Sequence, residues 1–86
     1  MRAAERFLRR KVEEFESLGY DTVRRRYFDE RTLHTEVDPV TGTLFEVEIG
    51  VSELGDGLMG VVVTVDDASA AVSRPVSEQF TLARST

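Results

Sequence analysis

The chain contains no cysteine, one lysine, one histidine and two prolines. Without cysteine there is no disulfide, no thiolate nucleophile and no zinc site built on thiolate ligands. No apolar run approaches the ~20 residues needed to span a bilayer. The opening Met1-Arg2-Ala3-Ala4-Glu5-Arg6 lacks the apolar h-region of a secretory signal. Glu5, Glu13, Glu14 and Glu16 are foreign to a transit peptide. These absences lead to the expectation of a cytoplasmic protein with no membrane contact.

What is present is charge, unevenly placed. Residues 1–31 hold nine basic and seven acidic side chains, a balance of +2, and residues 32–86 hold two and nine, a balance of −7. The net charge is −5, which repels nucleic acid phosphates and anionic membranes. The two halves are expected to neutralise each other locally. Ten of the eleven basic residues are arginine. An acid-rich, lysine-poor surface is a feature of salt-adapted proteins, and a GC-rich genome produces the same arginine bias. Eighty-six residues with a 41% apolar fraction make one small globular domain of modest stability.

One helix opens the chain. Ala4, Phe7, Leu8, Val12, Phe15 and Leu18 recur at helical spacing and form a continuous apolar stripe. Glu5–Arg9, Arg9–Glu13 and Arg10–Glu14 pair charges on the other side. Gly19 is placed to end that helix by adopting positive φ. Everything after Tyr20 reads as strands and turns. A first strand is expected over Asp21 to Phe28 with a turn at Asp29-Glu30, and a second over Arg31 to Val37. A third is expected over Thr43 to Val51, a fourth over Leu58 to Val65 and a last over Val76 to Arg84. Asp38-Pro39-Val40-Thr41-Gly42 and Asp56-Gly57 are the strongest turn signals. One helical turn is expected around Ala68–Val72, and Pro75 confines the last strand to an edge or a late start.

The hairpin at Asp38 allows two registers. A four-residue loop pairs Asp38 with Thr43 and sets His34 and Glu36 beside Phe45 and Val47. A five-residue loop pairs Val37 with Thr43 and turns Leu33, Thr35 and Val37 into the core. A one-residue slip exchanges the two faces, and burial argues for the five-residue loop. The expected core is then Phe7, Leu8, Val12, Phe15, Leu18, Val23, Leu33, Phe45, Val47, Ile49, Val61, Val63, Val65, Phe80 and Leu82.

The fold class that follows is α+β: one N-terminal helix packed on a curved antiparallel meander of four or five strands, in a single domain. In element order this resembles cystatin-like or helix-grip architectures, a likeness of fold that implies no function. Residues 4–48 also resemble the N-terminal part of PD-(D/E)XK nuclease-like folds in Leu18-Gly19-Tyr20, Arg24 to Tyr27, Asp38 and Glu46-Val47-Glu48. The lysine which that motif requires is Glu48 here, and the helix that follows it is missing.

No catalytic, cofactor or metal pattern stands out, so no catalytic residue, cofactor or metal ligand is assigned. His34 with Glu36, Glu46 and Glu48 forms a candidate polar cluster on the outer sheet face, where Arg24 and Arg26 would meet the carboxylates. The plain reading of that cluster is a solvated face. Arg24-Arg25-Arg26 is the only basic run, and with Tyr27 and Phe28 it could line a phosphate strip. The acidic balance makes nucleic acid an unfavoured partner. Gly55-Asp56-Gly57 is a turn rather than a phosphate loop, since no Lys-Ser/Thr pair follows.

Leu44, Leu58 and Val62 fall on the face opposite the expected core, as a candidate interface. The function that fits best is a non-enzymatic protein-binding or self-assembling module, a homodimer through sheet faces or an edge strand. The alternative is a small-molecule-binding or weakly enzymatic cone, with Tyr20, Tyr27, Thr35 and Glu78 inside a pocket between helix and sheet. Salt adaptation itself is open to a direct check. A melting temperature that rises between low and molar salt is the outcome expected of a salt-adapted surface, and a flat or falling curve leaves codon bias as the source of the arginines.

Overall fold

The computed structural model describes residues 3–27, 31–68 and 75–84. Helix α1 spans Ala3–Tyr27, followed by strands β1 (Arg31–Val37), β2 (Leu44–Gly55), β3 (Leu58–Asp67) and β4 (Val76–Ala83). The four strands form one antiparallel sheet in the order β1-β2-β3-β4. Its outer members do not pair with each other, so the sheet is open. The architecture is α+β, with the N-terminal helix packed on one side of a meander. No helix among the described residues is long and apolar enough to cross a membrane.

Gly19 divides α1 into two arms. Its φ of 81° and ψ of 170° lie outside any helical region, in a corner that glycine alone populates readily. The strand expected at residues 21–28 is not formed, because the second arm is helical through Tyr27. The reason is legible in spacing. Tyr20, Val23 and Tyr27 recur at i, i+3 and i+7, and Tyr20 and Val23 are buried. Arg24, Arg25 and Arg26 occupy the last turn, where cations complement the helix dipole. The arms fold toward each other: the rings of Phe15 and Tyr27 meet edge to face at 5.3 Å. In a straight helix, twelve residues would separate them by about 18 Å along the axis. The turn expected at Asp29-Glu30 and most of the helical turn expected at Ala68–Val72 lie outside the described residues.

One side of the sheet is dry. Phe7, Leu8, Val12 and Phe15 from the first arm, with Tyr20 and Val23 from the second, cover Phe45, Val47, Ile49, Val51, Met59, Val61, Val63, Val65 and Leu82. Phe7 stacks on Phe45 at 4.9 Å. Leu18 and Phe80, also expected in the core, pack against it while partly buried. Each fully buried aliphatic or aromatic side chain contributes about 1.5–3 kcal/mol. The helix rests mainly on β3 and β4 and only lightly on β2.

The hairpin β1–β2 takes the four-residue loop. Val37 pairs with Leu44, Glu36 with Phe45 and His34 with Val47, and the Asp38 N–H donates to the Thr43 carbonyl at 2.8 Å. The register expected from burial is therefore corrected, and Leu33 leaves the core: it is 68% exposed and Val37 is 59% exposed. Two causes outweigh the burial of two aliphatics. Asp38 in the closing position satisfies the whole loop, because its carboxylate accepts from the Val40 N–H at 2.9 Å and from the Thr41 hydroxyl at 3.2 Å. The side of β1 that faces the helix also lies at the margin of the core, where Lys11 meets Glu36 and Arg10 meets Asp38.

The β2–β3 hairpin closes at Asp56-Gly57. Both residues have positive φ, 53° and 73°, as a two-residue turn matched to strand twist requires. The register shifts between Glu53 and Gly55, which makes Leu54 the extra residue of a bulge. β3 lies between β2 and β4, and its outer side chains Leu58 and Val62 remain uncovered.

The strain at Gly19 is measurable. Gly19→Ala is expected to lower stability by about 1–3 kcal/mol. For a domain of this size each kcal/mol corresponds to a fall of about 4–8 °C in melting temperature. Thermal or urea unfolding with no loss of stability would show that the break costs no strain.

Candidate functional site

Two surfaces carry the groups singled out by sequence. The first is the side of the sheet turned away from the helix. Alternation places Arg31, Leu33, Thr35 and Val37 there from β1, with Leu44, Glu46 and Glu48 from β2. Leu58, Val62 and Thr64 follow from β3, then Ser77, Gln79 and Thr81 from β4. Leu44, Leu58 and Val62, the candidate interface residues, are 42%, 41% and 37% exposed. They share the face but not a patch. Leu44 adjoins Val37 at one end, while Leu58 sits at the other end beside the Leu54 bulge. A shallow hollow of about 300 Å³ lies over Gly50, bordered by Arg31, Glu48, Ser52, Val62 and Thr64. Arg31 reaches Glu48 at 3.3 Å across that rim.

The second surface is the seam between α1 and the inner side of β1. Lys11 lies between three acceptors: Glu14 Oε2 at 3.2 Å and the two carboxylate oxygens of Glu36 at 3.0 and 3.2 Å. Glu36 in turn meets His34 Nε2 at 2.6 Å. Arg10 reaches Asp38 at 3.3 Å. The seam opens into a groove of about 460 Å³ that includes Phe7, Lys11, Glu14, Glu36 and Pro39.

The expected polar cluster is thereby divided. His34 and Glu36 face the helix side, Glu46 and Glu48 face away from it, and the sheet stands between them. The four-residue loop is the cause, since it exchanges the faces of β1. Arg24 and Arg26 are helical rather than on a strand, and Arg24 approaches Glu53 at 4.0 Å. The basic run therefore cannot line an extended phosphate strip, and the nuclease-like likeness loses its arginine strand. Thr35 lies on the opposite side of the sheet from Tyr20 and Tyr27, so the residues expected to line a cone do not converge. Glu78 borders a separate small groove with Glu5, Leu8 and Arg9.

Among the described residues no group of His, Cys, Asp and Glu could hold a metal ion. The network at the seam is a set of partly exposed ion pairs, each of modest worth.

The titrating groups of the seam respond to it. The Val40 N–H, opposed by burial and helped by Thr41 and Arg10, holds the Asp38 carboxyl below its usual range. Burial pushes Glu36 up, but hydrogen bonds from His34 and Lys11 outweigh it and leave Glu36 lowered. Burial likewise pulls Lys11 down, and Glu36 and Glu14 together hold it above its usual value.

Sequence reasoning missed Lys11 at the helix–sheet seam and Leu33 and Val37 on the outer face. Lys11 carried a signal, being the only lysine and standing four residues after buried Phe7. Leu33 and Val37 carried one only through the turn: the ability of Asp38 to cap its own loop favours the register that exposes them.

The lowered carboxylates contribute stability above their ordinary range and lose it as pH falls through their folded values. The raised lysine contributes below its ordinary value and loses it as pH climbs past its folded value. Unfolding free energy is therefore expected to fall as pH drops below about 4, and Asp38→Asn is expected to make that acid limb shallower. A limb unchanged in the variant, followed by urea melts across pH, would remove Asp38 as its source. No family model matches the chain, and no curated protein or solved structure matches it.

Proposed function

We propose that the chain is a non-enzymatic module that associates with a second copy of itself at the β1 margin of its open sheet. The observation that carries this reading is the orientation of β1. Its aliphatic side chains, Leu33 at 68% and Val37 at 59% exposure, point to water while Thr32, His34 and Glu36 face the helix. Leu44 stands alongside Val37 at one corner of the open face, and Leu33 follows two rungs along β1, beyond Thr35 and Glu46.

Symmetric closure about a two-fold axis is the commonest way for such a surface to satisfy itself.

Sedimentation equilibrium tests the reading. The wild-type chain is expected to run as a dimer at high concentration. Leu33→Glu with Val37→Glu removes about 1.5–3 kcal/mol of burial per site and is expected to weaken the dimer at least about tenfold. A wild-type chain that stays monomeric at high concentration overturns the proposal.

A further inference from the structure

Resting on that reading of self-association, we propose that the contact is made edge to edge. Two β1 strands pair antiparallel about a two-fold axis at Thr35 and continue the sheet from one chain into the next.

The first support is an unpaired hydrogen-bonding edge. Among the described strands, β1 has a neighbour on one side only. The Asp38 N–H bonds to Thr43, so by alternation Thr32, His34 and Glu36 direct their backbone groups to β2. Arg31, Leu33, Thr35 and Val37 direct theirs outward. The strand is seven residues long, without proline or lysine, and its pairing with β2 shows no register shift. Edges are ordinarily blunted by those devices. β4, the opposite edge, follows Pro75, and its outer side carries only Ser77, Gln79, Thr81 and Ala83. No large apolar group is left there for a neighbour to cover.

The second support is self-complementarity, which selects one register. With the axis at Thr35, Leu33 lies opposite Val37 of the second copy and Thr35 opposite its own counterpart, all on the outer face. On the helix side, His34 lies opposite Glu36 of the second copy, at positions where Cα atoms approach to about 4.5 Å. Both exposed aliphatics gain an aliphatic neighbour, and the imidazole gains a carboxylate. Leu44, paired with Val37 in its own chain, extends the apolar row across the join.

Shifting the axis by one residue to His34 sets imidazole on imidazole, Leu33 on threonine and Arg31 on Val37. Shifting it to Leu33 leaves Val37 with no partner. The register at Thr35 also makes three hydrogen-bonded pairs, about six backbone bonds. The chain's own repeat of aliphatic, histidine, threonine, glutamate, aliphatic reads the same against itself when reversed, with histidine meeting glutamate.

The cysteine-free chain lends itself to single-cysteine mapping. Leu33→Cys, His34→Cys and Thr35→Cys are oxidised separately at a concentration where wild type is dimeric. Thr35→Cys is expected to form a disulfide-linked dimer at least about tenfold faster than the others, because the Cα atoms at a hydrogen-bonded pair lie about 5.5 Å apart. Thr35→Pro removes only an outward N–H and is expected to yield a folded monomer. Hydrogen exchange on the wild type serves if that variant does not fold: the amides of Leu33, Thr35 and Val37 are expected to slow as the chain is concentrated. A dimer in which those amides stay fast and the Thr35→Cys variant shows no advantage in cross-linking overturns the edge geometry while leaving self-association standing. A wild-type monomer overturns both.

Discussion

The carboxylate of Asp38 decides which way β1 faces. It closes a four-residue loop by accepting from Val40 and Thr41, and its own N–H reaches Thr43. Moving the register by one residue would bury Leu33 and Val37 but undo that loop. It would also turn His34 and Glu36 away from Lys11. Local turn chemistry and a row of ion pairs hold the strand in an orientation that hydrophobic patterning alone argues against. Every surface property of the sheet follows from this choice, including the aliphatic corner at Val37 and Leu44 and the separation of His34 from Glu46 and Glu48.

Gly19 exerts the second constraint. Its backbone conformation lets a continuous run of helix-forming residues fold back on itself, so that Tyr20, Val23 and Tyr27 join the stripe begun at Ala4. The helix as a whole rests mainly on β3 and β4, and the rings of Phe15 and Tyr27 bring its two arms together. Arg84 sits over the Tyr20 ring at 5.6 Å, so the far end of the sheet clasps the bend.

The parts of this fold that were legible in the sequence were those in which one periodicity has no rival. The stripe from Ala4 to Leu18, the alternation of Phe45, Val47, Ile49 and Val51, and the Asp56-Gly57 turn each admit a single reading. Residues 20–27 admitted two. Three arginines conceal the spacing of Tyr20, Val23 and Tyr27, and a glycine stop before them reads as the end of a helix rather than a corner within one. β1 was placed correctly along the chain but reversed in face, because its two sides differ little in hydrophobicity while the loop's preference is strong. The candidate surface inherited that error. Leu44, Leu58 and Val62 were assigned to the outer face from their own strands, but Leu33 and Val37, which change its character most, depended on the hairpin.

The order in which the elements dock has a bearing on biosynthesis. Each strand pairs with its immediate neighbour in the chain, so the sheet can zip up from successive hairpins at small cost in loop entropy. The first arm of α1 is different. It precedes the sheet in the chain, and the helix it belongs to rests chiefly on β3 and β4, which follow β1 and β2. Phe7 finds its ring partner in β2, while the rest of the helix contact belongs to strands still further along the chain. A core assembled this way joins the first element of the chain to strands that all come after it.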